Sequence, residues 1–479
     1  MPRKFGTGLV LLFALTLAGA QSWAPLNNQP PFPAGTALLL TDSTVMVQQM
    51  TTNGFGTGNW WRLAPDSFGS YRNGTWSQLA SMPAGYAPLY YASAVLRDGR
   101  VIIEGGEYNG NSGIVESTLG ALYDPVSNSW SSVPPPPRVT QIGDASSVVL
   151  ADGTFMLGPC CSGTAFFLNL STLTWTFTGA NKNDSNVEEG WTLLANGKVL
   201  TIDVTSSGHA ELYDPAFGSW FPALNTPVSL VNSGEIGPAV LLPDGEVLAL
   251  GGNSNTALYN PDPEGWAVGP SLPSGYDVAD GPAALIPNGH VLIDASPGVF
   301  QPGTQFFEFN GRGIVAVPNP PGASAYPSFV GRLLVLPTGE ILFTNQTNQV
   351  QLYTSSGTYF PQWQPVITSM SDTSLHLGMV NCSVSGMQFN GLSQGAMYGD
   401  DAQAATNYPL VRITMNATGH VFYMRTHDHS TMGVATGTTP VSTLFDIPLN
   451  AEIGDGTLQV VANGIPSNPV PVTMLPPGR

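Results

Sequence analysis

EIGPAVLLPDGEVLALGGNSNTALYNPDPEGW, residues 235–266, reads as four strands in succession. Ala239 to Leu242 is apolar and β-prone. Pro243-Asp244-Gly245 is a turn in which glycine supplies a positive φ. Val247 to Leu250 is a second buried run, and Gly251-Gly252 permits close backbone approach. Ala257-Leu258-Tyr259 is a third run, Asn260-Pro261 turns the chain, and Trp266 falls in a fourth, outer one. A sheet of this kind cannot cover its own apolar faces, so copies must stack.

The copies are present. The turn glycine recurs at Gly99, Gly153, Gly197, Gly245, Gly289 and Gly339, with Ser43 in the same place in a degenerate first copy; the spacings from Ser43 are 56, 54, 44, 48, 44 and 50. The turn after the third strand recurs at Tyr123-Asp124-Pro125, Tyr213-Asp214-Pro215 and Tyr259-Asn260-Pro261, and the outer tryptophan at Trp76, Trp130, Trp175, Trp220 and Trp266. A period near 50 with four strands, a Gly-Gly pair and a late Trp is the signature of a kelch-type propeller, here with seven blades.

Upstream, Arg3 and Lys4 precede an apolar run from Leu9 to Ala18 and then Ala18-Gly19-Ala20. This predicts a cleaved signal peptide over residues 1–20. The run is too short to span a bilayer, which takes about 20 helical residues, and no other segment is longer, so no membrane span is expected. The protein is expected to be secreted, or periplasmic in a Gram-negative cell. The whole chain carries 14 Lys+Arg against 32 Asp+Glu, and loss of Arg3 and Lys4 takes the formal charge from −18 to −20. Such a surface repels nucleic acid and anionic membranes and leaves cations and neutral sugars as easier ligands; carbohydrate or an extracellular protein is the expected partner. With 55 Gly and 42 Pro but only 10% charged residues, the composition is that of turn-rich all-β structure. Cys160, Cys161 and Cys382 make no disulfide framework and no zinc pattern; Cys160-Cys161 is open to a vicinal disulfide or to two buried thiols.

Residues 21–365 are expected to form the propeller, with Trp23 lending an outer strand to the last blade. After Trp363 the period stops. Tyr408 to Thr414, Gly419 to Arg425, Leu444 to Ile447 and Thr457 to Val461 alternate differently, with hairpin turns at Asp455-Gly456 and Asn463-Gly464. Residues 366–479 are therefore expected to be an immunoglobulin-like (E-set) β-sandwich packed on the propeller.

This order of segments, the PDGEVLALGG-type blade cores, NYPLVRI (Asn407 to Ile413) and VVANGIPS (Val460 to Ser467) together resemble the galactose oxidase and glyoxal oxidase family. The resemblance implies a copper ion held by two Tyr and two His, one Tyr being thioether-linked to Cys. The linked Tyr maps to Tyr90, eight residues before Asp98. Its Cys partner maps near Phe32 to Gly35, where there is none. The Tyr-His pair maps to Phe329 and Val330. The last His, from a loop of the second domain, is best matched by His429 in Thr426-His427-Asp428-His429-Ser430-Thr431. Two matched ligands do not make a four-ligand Cu(II) site, so the scaffold is expected without the copper-radical chemistry.

The same count places Asp144, Glu188 and Asp280 eight residues before their turns and Glu235 nine before, with Glu189 adjoining Glu188. This is where a blade's innermost strand begins, so these side chains and Tyr90 are expected at the rim of the channel. Carboxylates there either accept backbone hydrogen bonds from a neighbouring blade or form an electronegative pocket for a polyhydroxylated ligand or a cation. Ca²⁺ or another divalent metal would suit their oxygen donors. His427, Asp428 and His429 would add metal ligands if their loop reached the channel; otherwise they only hydrogen-bond. Asp400-Asp401 reads as a turn cap or a cation ligand. No nucleophile elbow or P-loop occurs. The expected function is an exported binding protein for carbohydrate or cell-surface partners. The alternatives are a metal-dependent enzyme using His429 with the carboxylate ring and a copper radical oxidase.

Overall fold

In the computed structural model, residues 21–206, 208–399 and 404–478 are described; the expected signal peptide and the Asp400-Asp401 pair lie outside them. The described residues are all-β apart from three short 3₁₀ turns. Seven four-stranded antiparallel sheets follow one another as propeller blades, the sixth carrying an extra strand.

Each blade starts from the turn that the sequence marks. The Asp, Asn or Thr two residues before the end of the turn accepts the backbone N–H two positions on: Asp42 from Thr44, Asp98 from Arg100, Asp152 from Thr154, Asn196 from Lys198, Asp244 from Glu246, Asn288 from His290 and Thr338 from Glu340. The residue between them is left-handed in every blade, from Ser43 at φ 64° to Gly245 at φ 94°. Inner strands are buried along their whole length, as in Ile236–Leu241 and Val247–Gly251, because blades cover them on both faces. Outer strands such as Thr75–Gln78 are mostly exposed.

The outer tryptophans latch the blades together. Trp130 donates its indole N–H to Ala80 O at 2.9 Å, Trp175 to Pro134 O at 2.7 Å and Trp266 to Ala223 O at 2.8 Å, each on the preceding blade. The ring closes as expected: Ser22–Pro25 pairs antiparallel with Gln351–Thr354 of the seventh blade. Trp23 packs against Phe306, Phe343 and Tyr353 and donates to Pro318 O at 2.6 Å.

Nine strands between Val366 and Leu475 form a separate hydrogen-bonded array. Val421–His427 switches partner along its length, from Leu410–Met415 to Val441–Asp446. The array encloses its own core, including Leu375, Val384, Phe389, Val411, Met424, Phe445 and Leu458. It docks on the propeller face that carries the hairpin turns: Thr426 N–H reaches Thr41 O at 3.1 Å and Met432 N–H reaches Ala151 O at 2.9 Å. From it a hairpin runs into the propeller channel. Thr406 N–H bonds Gln394 O at 2.8 Å, Gln394 Oε1 accepts from Leu193 N at 2.8 Å, and Ala396–Met397 pairs with Ala283–Leu285 of the sixth blade.

Two outcomes are expected. Trp23→Ala removes ring contacts and a latch, and lowers stability by about 3 kcal/mol in chemical denaturation. His429 is fully buried against Tyr408, and burial holds its imidazole down at about pKa 3. Unfolded, the ring takes its proton near pH 6.5. Its contribution is therefore present above that pH and is lost as pH falls, at up to about 1.4 kcal/mol per unit. Urea melts at pH 7 and pH 5 should show a smaller loss in His429→Gln than in the parent protein.

Candidate functional site

At the end of the channel away from the docked array lies a cavity of about 450 Å³ to which every blade contributes. The first blade supplies Gly54 and Phe55, the second Tyr90, Glu107 and Tyr108, the third Asp144, the fourth Glu188, the fifth Glu235, the sixth Asp280 and Phe300, and the seventh Phe329. Tyr398, from the threaded hairpin, completes the wall. Asp144, Glu188, Glu235, Asp280 and Tyr90 thus surround one space.

The backbone that aims them is unusual. Tyr90, Glu188 and Asp280, equivalent in their blades, have φ of 52°, 53° and 49°, the left-handed region that side chains other than glycine seldom adopt. Residues held in this way cost about 1–3 kcal/mol each and cluster at ligand sites. The Gly-Gly pairs support the same segments. A Cβ on Gly252 would collide with the Glu235 carbonyl oxygen, and one on Gly105 with that of Gly143, next to Asp144.

Glu188, Glu235 and Asp280 each bring a carboxylate oxygen within 4.8 Å of the others. Burial pushes the Glu235 carboxyl above its usual range, opposed by a hydrogen bond with Asp280. Burial also raises Glu107, opposed by a hydrogen bond with Tyr108. Opposite the acids the wall is aromatic. The Phe300 and Phe329 rings meet edge to face at 5.0 Å, and Tyr398 donates to Phe329 O. The Arg332 guanidinium stacks 3.5 Å from the Tyr398 ring centre and 5.7 Å from that of Tyr90, and donates to Phe329 O at 2.7 Å. It braces the phenols from outside the cavity.

Three expectations are corrected. Glu189 does not reach the rim. With Glu188 left-handed, the next side chain turns into the blade, where Glu189 is fully buried and 2.7 Å from Lys182 Nζ. His427 and His429 do not approach the carboxylates either. His427 ends a strand and lies between Asp428 at 2.7 Å and Asp446 at 3.2 Å. His429 Nδ1 meets Thr443 Oγ1 at 2.8 Å, and its backbone N–H bonds Arg97 O beside the Asp98-Gly99 turn, on the docking face. With Asp428 they form no metal-ligating cluster among the described residues. The described residues that enter the channel are 394–399 and 404–406. The sequence reading missed Tyr398 for that reason, although a long polar, glycine-bearing stretch between strands was its signal. It also missed Glu107 and Tyr108, which directly follow Gly105-Gly106.

No protein-family model matches the chain. Over 86 residues it is 33% identical to the Kelch-like protein terF of Aspergillus terreus (strain NIH 2624 / FGSC A1156), a match covering 18% of this chain and 18% of that relative. A solved fungal alcohol oxidase, described as having catalytic diversity among the AA5 family and in complex with copper, matches with TM-score 0.51 and 15% identity over 95% of this chain and 100% of that one. A streptogramin B lyase matches with TM-score 0.51 and 9% identity over 70% of this chain and 98% of that one. Identities this low speak to fold alone. In fold the chain is a seven-bladed propeller like that of the fungal alcohol oxidase, with one stretch similar to a Kelch-like protein. No described helix is long and apolar enough to cross a membrane.

The residues present do not fit a copper-radical centre. The described lining offers phenols and carboxylates but no imidazole, and Phe329 stands where the family count calls for a ligating Tyr. Tyr90 has no thiol to link to: Cys160 and Cys161 are bonded to each other, and Cys382 is buried in the second array's core.

Asp280→Asn tests the strain at this site. Asn tolerates the left-handed region better than most residues, and the change removes one charge from a crowded trio. Thermal unfolding should show a gain of about 0.5–1 kcal/mol; a destabilised variant would mean that Asp280 is there to hold the fold.

Proposed function

We propose that the mature chain is an exported binding protein whose axial cavity takes a carbohydrate. The observation that carries this is the pairing of an acidic side (Asp144, Glu188, Glu235 and Asp280) with an aromatic side (Phe300, Phe329 and Tyr398) in one cavity. Sugar hydroxyls donate to carboxylates while the C–H face of the ring lies on aromatic carbon, and a few placed polar groups in an apolar wall are how small-ligand sites gain orientation. The three clustered carboxylates are also hard oxygen donors of the kind calcium takes, and an ion there would bridge protein and hydroxyls. Export rests on the leader-like segment ahead of Gln21. The docked array is taken as the immunoglobulin-like sandwich of the galactose oxidase arrangement, with extracellular protein as a further partner for the exposed faces.

The fold itself selects no chemistry, since an oxidase and a lyase share it. A metal-dependent enzyme is the alternative that one observation favours: Glu188, Glu235 and Asp280 bring carboxylate oxygens within 4.8 Å of one another, and burial raises the Glu235 carboxyl above its usual range. It would work without His429.

Glycan-array screening of the mature protein, followed by calorimetry on the best ligand with and without chelator, tests the proposal. Asp280→Asn should weaken binding at least tenfold, about 1.4 kcal/mol, while melting no lower than the parent. Failure to bind any glycan, or binding unchanged in Asp280→Asn, rejects the axial cavity as a sugar site. Turnover of a bound ligand would instead favour the enzyme.

A further inference from the structure

A second group of acids lies inside the fourth blade, away from the axial cavity. Asp184, Glu189, Asp203 and Glu211 are all buried and face Lys182, whose side chain is 1% exposed. Lys182 Nζ lies 2.7 Å from Glu189 Oε2 and 3.1 Å from Glu211 Oε2. With all four acids ionised, three negative charges remain unmatched, which is costly in a buried site. Most of the remaining oxygens are spoken for. Asp184 accepts from the Thr205 hydroxyl and from the Ser185, Thr205 and Ser206 amides, Glu211 from the Asn183 amide, and Asp203 Oδ2 from Asn183 Nδ2. Two are not: Glu189 Oε1 and Asp203 Oδ1 are buried with no hydrogen-bond partner, on residues that are 0% exposed. Asp184, Glu189 and Asp203 each offer one carboxylate oxygen within 4.8 Å of the others.

We propose that this chamber binds a calcium ion, held by Asp184, Glu189 and Asp203, which fixes the segment 182–189 to the fourth blade. The three donors are hard oxygens, the nearest imidazole is the half-exposed His209 with Nδ1 4.0 Å from Asp203 Oδ2, and calcium accepts several carboxylates at once. A divalent ion satisfies both orphaned oxygens and leaves one negative charge where there were three. The ion also anchors the axial site from behind, because Glu189 directly follows Glu188 in the chain. The rim shows the same local departure. Trp220 has no partner for its indole N–H, unlike Trp130, Trp175 and Trp266, and Lys182 lies 5.0 Å from its ring centre.

The test uses the full mature protein, stripped with chelator, desalted and titrated with CaCl₂. One calcium ion that Asp280→Asn retains and Asp203→Asn loses is expected, with a rise in melting temperature of about 5 °C at saturating calcium. Three results would overturn the proposal: no calcium-dependent shift in the parent protein, a shift lost in Asp280→Asn but kept in Asp203→Asn, or a Glu189→Gln variant that melts higher than the parent regardless of calcium. The last would mean that a proton on Glu189 balances the chamber. If Asp203→Asn does not fold, the parent and Asp280→Asn titrations decide the matter together: a shift kept in Asp280→Asn supports the chamber, and a shift lost there overturns it.

Discussion

The pairing of Ser22–Pro25 with Gln351–Thr354 makes the beginning of the described chain the outer strand of its last blade. Each blade exposes two apolar faces and can bury them only between two neighbours, so an open row would leave the first and last blades half covered. A closed ring has no such ends. Trp23 strengthens the seam with three aromatic contacts and a hydrogen bond to the sixth blade, and Trp76 ties the first blade to the N-terminal segment through Asn28 O at 2.9 Å. The buried inner strands and the exposed outer ones both follow from that closure.

The axial cavity inherits its shape from the same ring. Inner strands start at the axis, so the residue just before each start faces the residues from the other blades. Close packing there requires Gly252 beneath Glu235 and Gly105 against Gly143. The left-handed backbone at Tyr90, Glu188 and Asp280 then tips those side chains inward. The glycine motif that builds the blade and the acids that line the cavity are therefore parts of one packing solution, and Arg332 steadies its aromatic side.

Most of the propeller was legible from the sequence because its determinants are local and repeated. An Asp, an Asn or, in the seventh blade, Thr338 caps its own turn and is followed by a residue at positive φ in every blade, and even Ser43 in the degenerate first copy takes the left-handed conformation. Counting from those turns placed Asp144, Glu188, Glu235 and Asp280 around one cavity, and Phe329 where the family count put it. What failed was non-local. Glu188 and Glu189 are neighbours in the chain, yet the backbone twist between them sends one to the axis and the other to Lys182. His429 sits in the sort of string the resemblance singles out, but it lies just past the end of a strand and its ring is held by Thr443 on the docking face. No periodicity marks which loop of the second array enters the channel, so Tyr398 escaped notice.

The threaded hairpin is also an axle. Gln394 bonds the fourth blade through Leu193, and Ala396–Met397 extends the sheet of the sixth. The hub of the wheel is thus filled by residues that leave the ribosome after all seven blades. Until they arrive the channel is hollow and its innermost strands lack their last partners. The inner strands of the fourth and sixth blades therefore complete their hydrogen bonding with the younger part of the chain, and the two parts cannot separate without unplugging the centre.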